Sequence, residues 1–123
     1  MKLAEAIEQV KKEKPHSFSM DHCTLFVNEV EQQVQEYMGI AEKDRVKYVW
    51  ENDGKKELIA PAPYCALYIS YLKAKIDYSN EEYESYATNQ AQFESDFSDF
   101  KAWAVREKKT GKKLPDKIIN WGW

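Results

Sequence analysis

The sequence predicts a mainly α-helical single domain: a small helical bundle with a short β-hairpin or loop insertion and an extended C-terminal tail. Three observations support this fold class. The 123 residues suffice for one domain with a buried core, 43% of them are hydrophobic, which argues against disorder, and apolar residues recur at helical spacing over most of the chain. We assign residues 1–107 to the helical domain and residues 108–123 to the tail.

Two amphipathic helices are predicted at the start of the chain. The first runs from about Lys2 to Lys14 and ends before Pro15. The second begins after Ser19 and ends near Gly39, which suits a C-cap position. Their apolar stripes are Leu3, Ile7 and Val10 in the first helix, and Cys23, Phe26, Val30, Val34 and Tyr37 in the second.

Residues 46–60 follow a different pattern. Val46, Tyr48 and Trp50 are spaced two residues apart, and Asp53-Gly54 could supply the positive φ that a tight hairpin turn requires. We therefore predict a β-hairpin in this region. The alternative is a disordered loop flanked by a single strand.

Residues 64–107 contain no Pro or Gly and have helical character throughout. Apolar and aromatic residues repeat every seven positions in two series offset by three or four, which is the spacing of a helix–helix seam. One unbroken helix would be about 65 Å long, longer than a compact domain of this size. We predict a break near residues 78–80, with Ser79 and Glu82 forming the capping box of a second helix. The continuous heptad phase favours the alternative, a single helix.

Several residues of this region lie outside the seam: Tyr64, Leu67, Tyr68, Tyr71 and Tyr78. Tyr68 and Tyr71 fall on a helix that is apolar on nearly every side. Such a helix is either central to the fold or shared with a partner. We therefore predict that Tyr68 and Tyr71 belong to an interface.

The tail combines positive charge with aromatic residues. From Lys101 onward there are seven basic and two acidic residues, a net charge of +5, whereas the preceding residues carry 11 basic and 19 acidic residues, a net charge of −8. Burying two indoles is worth several kcal/mol, enough to hold an arm on a neighbouring subunit. Docking on its own domain is the alternative. The predicted arm and its guiding lysines include Lys112, Lys113, Ile118, Ile119, Trp121 and Trp123.

The sequence predicts no reaction chemistry. Asp21, His22 and Cys23 are adjacent, so on a helix they point in different directions and do not converge on a metal. Cys23 and His16 lack a third group that would orient a nucleophile and its base. The 4 glycines form no phosphate-binding pattern. We expect no enzymatic activity, no cofactor and no metal.

The sequence also indicates where the protein resides. Its first residues, MKLAEAIEQVKKEK, are too charged for the apolar stretch of a signal peptide. No apolar run approaches the ~20 residues of a membrane span, and two cysteines are too few for a disulfide framework. We expect an intracellular protein without a membrane partner.

One stretch, ELIAPAPYCALYISYLKAKIDYSNEEYESYATNQAQFESDF (57–97), carries a longer pattern. It consists of an apolar strand, Pro-x-Pro-Tyr, a tyrosine-rich helix, Ile-Asp-Tyr, and an acidic helix that contains tyrosines and ends in Phe. The residues that fill it are Pro61, Pro63, Tyr64, Tyr68, Tyr71, Ile76, Asp77, Tyr78, Glu82, Tyr83, Tyr86 and Phe93. In this pattern the chain resembles small proteins encoded among the head-assembly genes of prophages of Gram-positive bacteria. Cys65, where the family has an acid, and the longer basic tail depart from it.

The resemblance implies a head–tail connector (adaptor or head-completion) protein of a long-tailed bacteriophage, which forms a homo-oligomeric ring below the portal. Its expected partners are copies of itself, the portal, neighbouring head and tail proteins, and passing DNA that is bound without sequence specificity. It would reside in the bacterial host cytoplasm during assembly and then in the virion. Acids from Asp77 to Asp99 would line the channel and repel DNA. The alternative function is a helical adaptor or regulator whose basic aromatic tail binds protein or nucleic acid.

Overall fold

The computed structural model describes residues 1–107, and residues 108–123 lie outside the described part of the chain. The α-helices are α1 (Leu3–Glu13), α2 (Met20–Tyr37), α3 (Trp50–Asp53), α4 (Ala66–Ser79) and α5 (Tyr83–Arg106), and a 3-10 turn at Glu42–Asp44 precedes α3. Residues 1–107 contain no β-strand, only an isolated bridge between Lys2 and Glu57. The predicted mainly α-helical fold class is confirmed.

Helix α2 begins and ends where the sequence predicts. The Ser19 hydroxyl accepts a hydrogen bond from the His22 N–H at 3.1 Å, which caps the first turn. At the other end Gly39 has a φ of 75°, and the Ile40 N–H donates to the Gln35 carbonyl at 3.0 Å. This is the Schellman arrangement, in which glycine accommodates the positive φ.

The four long helices form a bundle. From the first residues of α4 to its last, the residues that it contacts lie progressively nearer the start of α2 and the start of α5. Both helices therefore run antiparallel to α4. The contacting pairs are Tyr71–Glu29 and Lys75–Phe26 for α2, and Ser70–Asp96 and Asp77–Ser85 for α5. The end of α1 lies along the second half of α4, since Glu13 pairs with Lys73 and Lys14 pairs with Asp77. The bundle therefore brings the α4–α5 connection close to the end of α1.

The core lies between these helices. Its fully buried side chains include Leu3, Ile7, Val10, Val27, Val30, Val34, Leu67, Tyr68, Leu72, Ile76 and Phe100. Burying each such apolar side chain contributes about 1.5–3 kcal/mol relative to leaving it exposed. No helix within residues 1–107 is long and apolar enough to cross a membrane.

The predicted β-hairpin is wrong: a loop and the short helix α3, Trp50–Asp53, occupy its place. The main chain of Tyr48 pairs with the Asn28 side chain of α2 at 2.8 and 2.9 Å, and that of Val46 pairs with the Gln35 side chain at 2.7 and 3.1 Å. These two side chains satisfy the backbone groups that a second strand would otherwise bind. Gly54 has a φ of −54°, so the positive φ expected of the hairpin turn does not occur.

The predicted break between two helices is confirmed, but the predicted capping box is wrong. Helix α4 ends at Ser79 and α5 begins at Tyr83, without a side-chain cap. The turn is made by Glu81, whose φ is 59°, and is closed by a hydrogen bond from the Glu82 N–H to the Asp77 carbonyl at 2.9 Å. A left-handed residue after α4 therefore ends the helix.

Replacing Glu81 with glycine is expected to raise the free energy of unfolding by about 0.5–1 kcal/mol. A side chain at positive φ costs about 1–2 kcal/mol, part of which is offset by the greater backbone entropy of glycine in the unfolded chain. Urea denaturation followed by circular dichroism measures the change. Asn80→Gly is the matched control, because Asn80 has a φ of −92° and glycine relieves nothing there. Equal destabilisation by both substitutions would contradict the prediction.

Candidate interaction surface

Most of the predicted interface lies outside the described residues. This applies to Lys112, Lys113, Ile118, Ile119, Trp121 and Trp123. The structure places the two remaining residues, Tyr68 and Tyr71, on α4. Both have contacts within the bundle.

Tyr68 is a core residue, which corrects its prediction as an interface residue. It is 0% exposed, and its hydroxyl donates to Glu31 Oε1 at 2.5 Å and accepts from the Ala60 N–H at 2.9 Å. Helix α4 is apolar on nearly every side because α1, α2 and α5 all pack against it. The central position of α4 in the bundle, and not an interface with a partner, explains why this helix is apolar on nearly every side.

Tyr71 is half-buried and joins three helices. Its hydroxyl donates to Glu29 of α2 at 2.8 Å, and its ring packs edge-on against Phe93 of α5 with centroids 5.0 Å apart. Burial raises the pKa of Tyr71, and the hydrogen bond to Glu29 raises it further. The tyrosine therefore stays protonated and donates across the helix–helix contact.

Glu31 is the polar centre of the core. Its carboxylate is fully buried, and Oε2 accepts hydrogen bonds from the Tyr48 hydroxyl at 2.7 Å and the Ile59 N–H at 3.1 Å. Burial raises the pKa of Glu31, although the hydrogen bonds from Tyr68, Tyr48 and Ile59 oppose that shift. The pKa values of both tyrosines are also raised, first by burial and then by the adjacent carboxylate. Glu31 thus ties α2 to α4 and to the loop between them.

Asp77 is a second buried carboxylate, near the α4–α5 connection. Its side chain is 0% exposed, with Lys14 Nζ 2.5 Å from Oδ1, and Ser85 Oγ and Asn89 Nδ2 donate to Oδ2 at 2.7 and 2.6 Å. Burial alone raises the pKa of Asp77, but the hydrogen bonds from Lys14, Ser85 and Asn89 outweigh it and hold the pKa below its usual value. Asp77 therefore joins α1, α4 and α5. The resemblance implied that Asp77 lines a channel; this is wrong, because its side chain is buried.

The α4–α5 connection exposes aromatic side chains among acidic ones. Tyr78 and Tyr83 are each 58% exposed, and their rings meet edge to face with centroids 6.0 Å apart. Tyr86 packs against Tyr78 at 5.2 Å from the next turn of α5. Five exposed residues form this surface, which we call the tyrosine–glutamate patch: Tyr78, Glu81, Glu82, Tyr83 and Glu84.

Within residues 1–107, most of the negative charge of the tyrosine–glutamate patch has no ion-pair partner. Lys14 Nζ lies 3.8 Å from Glu82, but it lies closer, at 2.5 Å, to the buried Asp77. Within residues 1–107, Glu81 and Glu84 form no ion pair. The patch therefore offers carboxylates and aromatic faces to a cationic partner.

A different exposed apolar surface lies along α2 and the loop before α3. Leu25, Val46 and Val49 are exposed there, and we call them the α2 edge. Leu25 and Val49 line an open groove of about 450 Å³ together with Trp50. The α2 edge is aliphatic, so its chemistry differs from that of the tyrosine–glutamate patch.

The structure brings Cys23 and His16 together but does not activate the thiol. Cys23 Sγ lies 4.0 Å from His16 Nε2, while His16 Nδ1 accepts a hydrogen bond from the Phe18 N–H. Burial raises the pKa of Cys23 and lowers the pKa of His16, so both groups are neutral near pH 7. In the described part of the chain, no group of three or more His, Cys, Asp or Glu side chains is placed to hold a metal ion.

Sequence reasoning missed both buried carboxylates and the tyrosine–glutamate patch. Glu31 carried a detectable signal, because it lies four residues after Val27 and three before Val34, on the apolar stripe of α2. Asp77 carried none, since its partners come from α1 and α5. The patch depends on where α4 ends, because the break between α4 and α5 leaves Tyr83 exposed.

Comparison with known proteins identifies no relative: no family model, curated protein or solved structure matches the chain.

Proposed function

We propose that this chain is a structural protein of a long-tailed bacteriophage, a head–tail connector or head-completion subunit that forms a homo-oligomeric ring below the portal. The resemblance of residues 57–97 supports this proposal. Several residues of that pattern have structural roles here: Tyr68 and Asp77 hold α4 to its neighbours, and Phe93 lies in the core. The pattern therefore describes a scaffold, as expected for a protein whose function is assembly.

The observation that carries the proposal is the exposed surface of α5. Only Phe93, Phe100 and Ala104 are buried in this 24-residue helix, which is about 36 Å long. Within residues 1–107, more than half of the residues of this helix are exposed. A ring requires two different, complementary surfaces on each copy. The tyrosine–glutamate patch is acidic and the C-terminal tail is basic, so the two are complementary in charge.

The proposed partners follow from this assembly. Each copy contacts further copies, the portal and the neighbouring head and tail proteins, in the host cytoplasm during assembly and then in the virion. DNA passes through the ring without sequence-specific binding. The exposed acids of α5 outside the tyrosine–glutamate patch, such as Glu94 and Asp99, repel phosphates and keep the passing DNA from adhering.

Native mass tests the proposal. Size exclusion with light scattering on the full chain is expected to show a closed oligomer, and a chain that ends at Gly111 is expected to lose it. Trp121→Ser/Trp123→Ser is the matched variant, because it removes the two indoles and keeps every lysine. Oligomers that survive both changes would exclude the tail as the docking arm. A full chain that stays monomeric at its highest soluble concentration would contradict the self-assembling ring.

The same samples distinguish the alternative function, an adaptor or regulator whose tail binds protein or nucleic acid. A connector is expected to bind a short DNA duplex weakly and without sequence preference. A monomer that binds DNA tightly, with an affinity that falls steeply as salt rises, would support the alternative instead. The tail lysines, such as Lys112 and Lys113, favour this alternative; the net charge of −3 opposes it.

A further inference from the structure

We infer that the tyrosine–glutamate patch of one copy binds the lysine-rich segment 108–117 of the next copy, so that subunits associate head to tail. The inference rests on the proposed function and specifies the two surfaces that meet. It follows from the composition of the segment, from the chemistry of the patch, and from the distance between the two within one chain.

The two surfaces are chemically complementary. Segment 108–117 (KKTGKKLPDK) contains five lysines and one aspartate, a net charge of +4. The patch presents Glu81 and Glu84 without ion-pair partners in residues 1–107, next to the exposed rings of Tyr78 and Tyr83. A lysine ammonium can bind a carboxylate and an aromatic face at the same time.

Two lysines of the described structure lie against aromatic rings, and one of them also pairs with a carboxylate. Lys101 Nζ lies 5.8 Å from the ring centroid of Tyr37 and 5.4 Å from that of Phe97. Lys75 Nζ lies 5.5 Å from the ring centroid of Phe26 and also pairs with Glu29 at 3.1 Å. The combination of ring and carboxylate around one lysine therefore occurs within the fold.

Chain geometry favours a second copy as the source of the segment. The patch is at the start of α5, whereas the segment follows the end of α5 at Arg106. The helix separates them by about 34 Å at ~1.5 Å per residue. From Arg106 to Lys113 an extended main chain spans at most about 25 Å. The main chain of Lys108, Lys109, Lys112 and Lys113 thus ends short of the patch of the same copy.

This separation between the patch and the segment is compatible with a head-to-tail contact between copies. The binding surface and the segment are at opposite ends of α5, so each copy can receive a segment at one end and supply its own at the other. Such a heterologous contact repeats from copy to copy and closes into a ring when the rotation between copies permits.

A charge-exchange experiment tests the inference on full-length chains. The patch variant is Glu81→Lys/Glu84→Lys, which leaves Glu82 beside Lys14 unchanged. The segment variant is Lys112→Glu/Lys113→Glu. Each variant alone is expected to weaken self-association by about tenfold or more in sedimentation velocity, since like charges then face each other. An equimolar mixture of the two is expected to recover association. When the variants alternate, exchanged charges pair at one contact and native charges pair at the next, so opposite charges meet at every contact.

The matched control is Glu94→Lys/Asp99→Lys, an equal charge reversal on exposed residues of α5 outside the patch. It is expected to leave association near that of the unaltered chain. Tyr78→Ser/Tyr83→Ser removes the aromatic faces and keeps every charge, and it is also expected to weaken association. Circular dichroism melts of all variants identify any that fail to fold.

Crosslinking establishes whether the contact joins two chains. Unlabelled and ¹⁵N-labelled full-length chains are mixed and treated with a zero-length carbodiimide, which joins lysines to carboxylates. Crosslinks from Lys112 or Lys113 to Glu81, Glu82 or Glu84 are expected in mixed light–heavy pairs. Their absence, or their occurrence within single chains only, overturns the inference.

The outcomes separate this inference from the proposed function. Oligomers that are lost when the chain ends at Gly111, but that persist in the Glu81→Lys/Glu84→Lys variant, overturn the inference and leave the ring in place. A full-length chain that never associates overturns both. Recovery in the charge-exchanged mixture, with no effect of the Glu94→Lys/Asp99→Lys control, supports the inference.

Discussion

Replacing Glu31 with alanine is expected to lower the free energy of unfolding by about 3–5 kcal/mol. The substitution removes the acceptor of three buried donors, the hydroxyls of Tyr48 and Tyr68 and the N–H of Ile59. It also leaves a cavity between α2 and α4, which adds to the cost. Urea denaturation followed by circular dichroism and tyrosine fluorescence measures the change. Glu36→Ala, on the exposed face of the same helix, is the matched control and is expected to change stability by less than about 0.5 kcal/mol.

The pH dependence of the same site gives an independent test. The pKa of Glu31 is raised in the folded protein, so the folded state holds its proton at pH values where the unfolded state has lost it. The contribution of Glu31 to stability therefore falls as pH rises from about 4.3, the unfolded pKa, through the folded pKa. Glu31→Gln lacks this titration. The stability of the native chain relative to Glu31→Gln is expected to decrease over that range, and a difference independent of pH would contradict the assignment.

Replacing Asp77 with asparagine is expected to lower the free energy of unfolding by about 3 kcal/mol at neutral pH. The change keeps the size of the side chain but removes the negative charge that Lys14 faces at 2.5 Å. It also replaces an acceptor of the Ser85 and Asn89 hydrogen bonds. Denaturation curves at pH 7 measure the loss. Breaking the more exposed Glu13–Lys73 pair with Lys73→Met is the control, and its expected effect is below about 1 kcal/mol.

The stabilisation that Asp77 provides is expected to change with pH in the opposite sense to the stabilisation that Glu31 provides. The pKa of Asp77 is lowered in the folded protein. Its stabilisation is therefore complete above the unfolded pKa of about 3.9 and is lost as pH falls through the folded pKa. The difference between Asp77→Asn and the native chain is expected to shrink below pH 4. A difference that stays constant down to pH 2 would show that the ion pair does not provide the stabilisation.

Asp77 also affects the surface that the proposed assembly uses. Asp77 holds the start of α5 through Ser85 and Asn89, and it lies beside Tyr78 of the tyrosine–glutamate patch. The Asp77→Asn variant is therefore expected to disturb the patch as well as the fold. For this reason the charge-exchange experiment changes only Glu81 and Glu84, which form no ion pair within residues 1–107.

Much of the helical content was predictable because its signals are local. Ser19 and Gly39 mark the ends of α2 by their own chemistry, and Leu3, Ile7 and Val10 form a buried face by spacing alone. The break between α4 and α5 was predictable from length, since one helix would exceed the size of the domain. The capping box was wrong because Glu81 ends α4 in a left-handed conformation, which a sequence motif does not reveal.

The sequence by itself determined the helical fold class, the position of the two-helix hairpin and the separation of a basic tail from an acidic domain. Periodicity, chain length and charge suffice for these. Only the tertiary structure decided that Tyr68 is a core residue, that Val46 and Tyr48 pair with α2 side chains instead of a second strand, and that Glu31 and Asp77 are buried. The partners of these residues are 8 to 63 positions away in sequence. Burial and pairing over such separations depend on how the helices pack, and local propensity does not encode that packing.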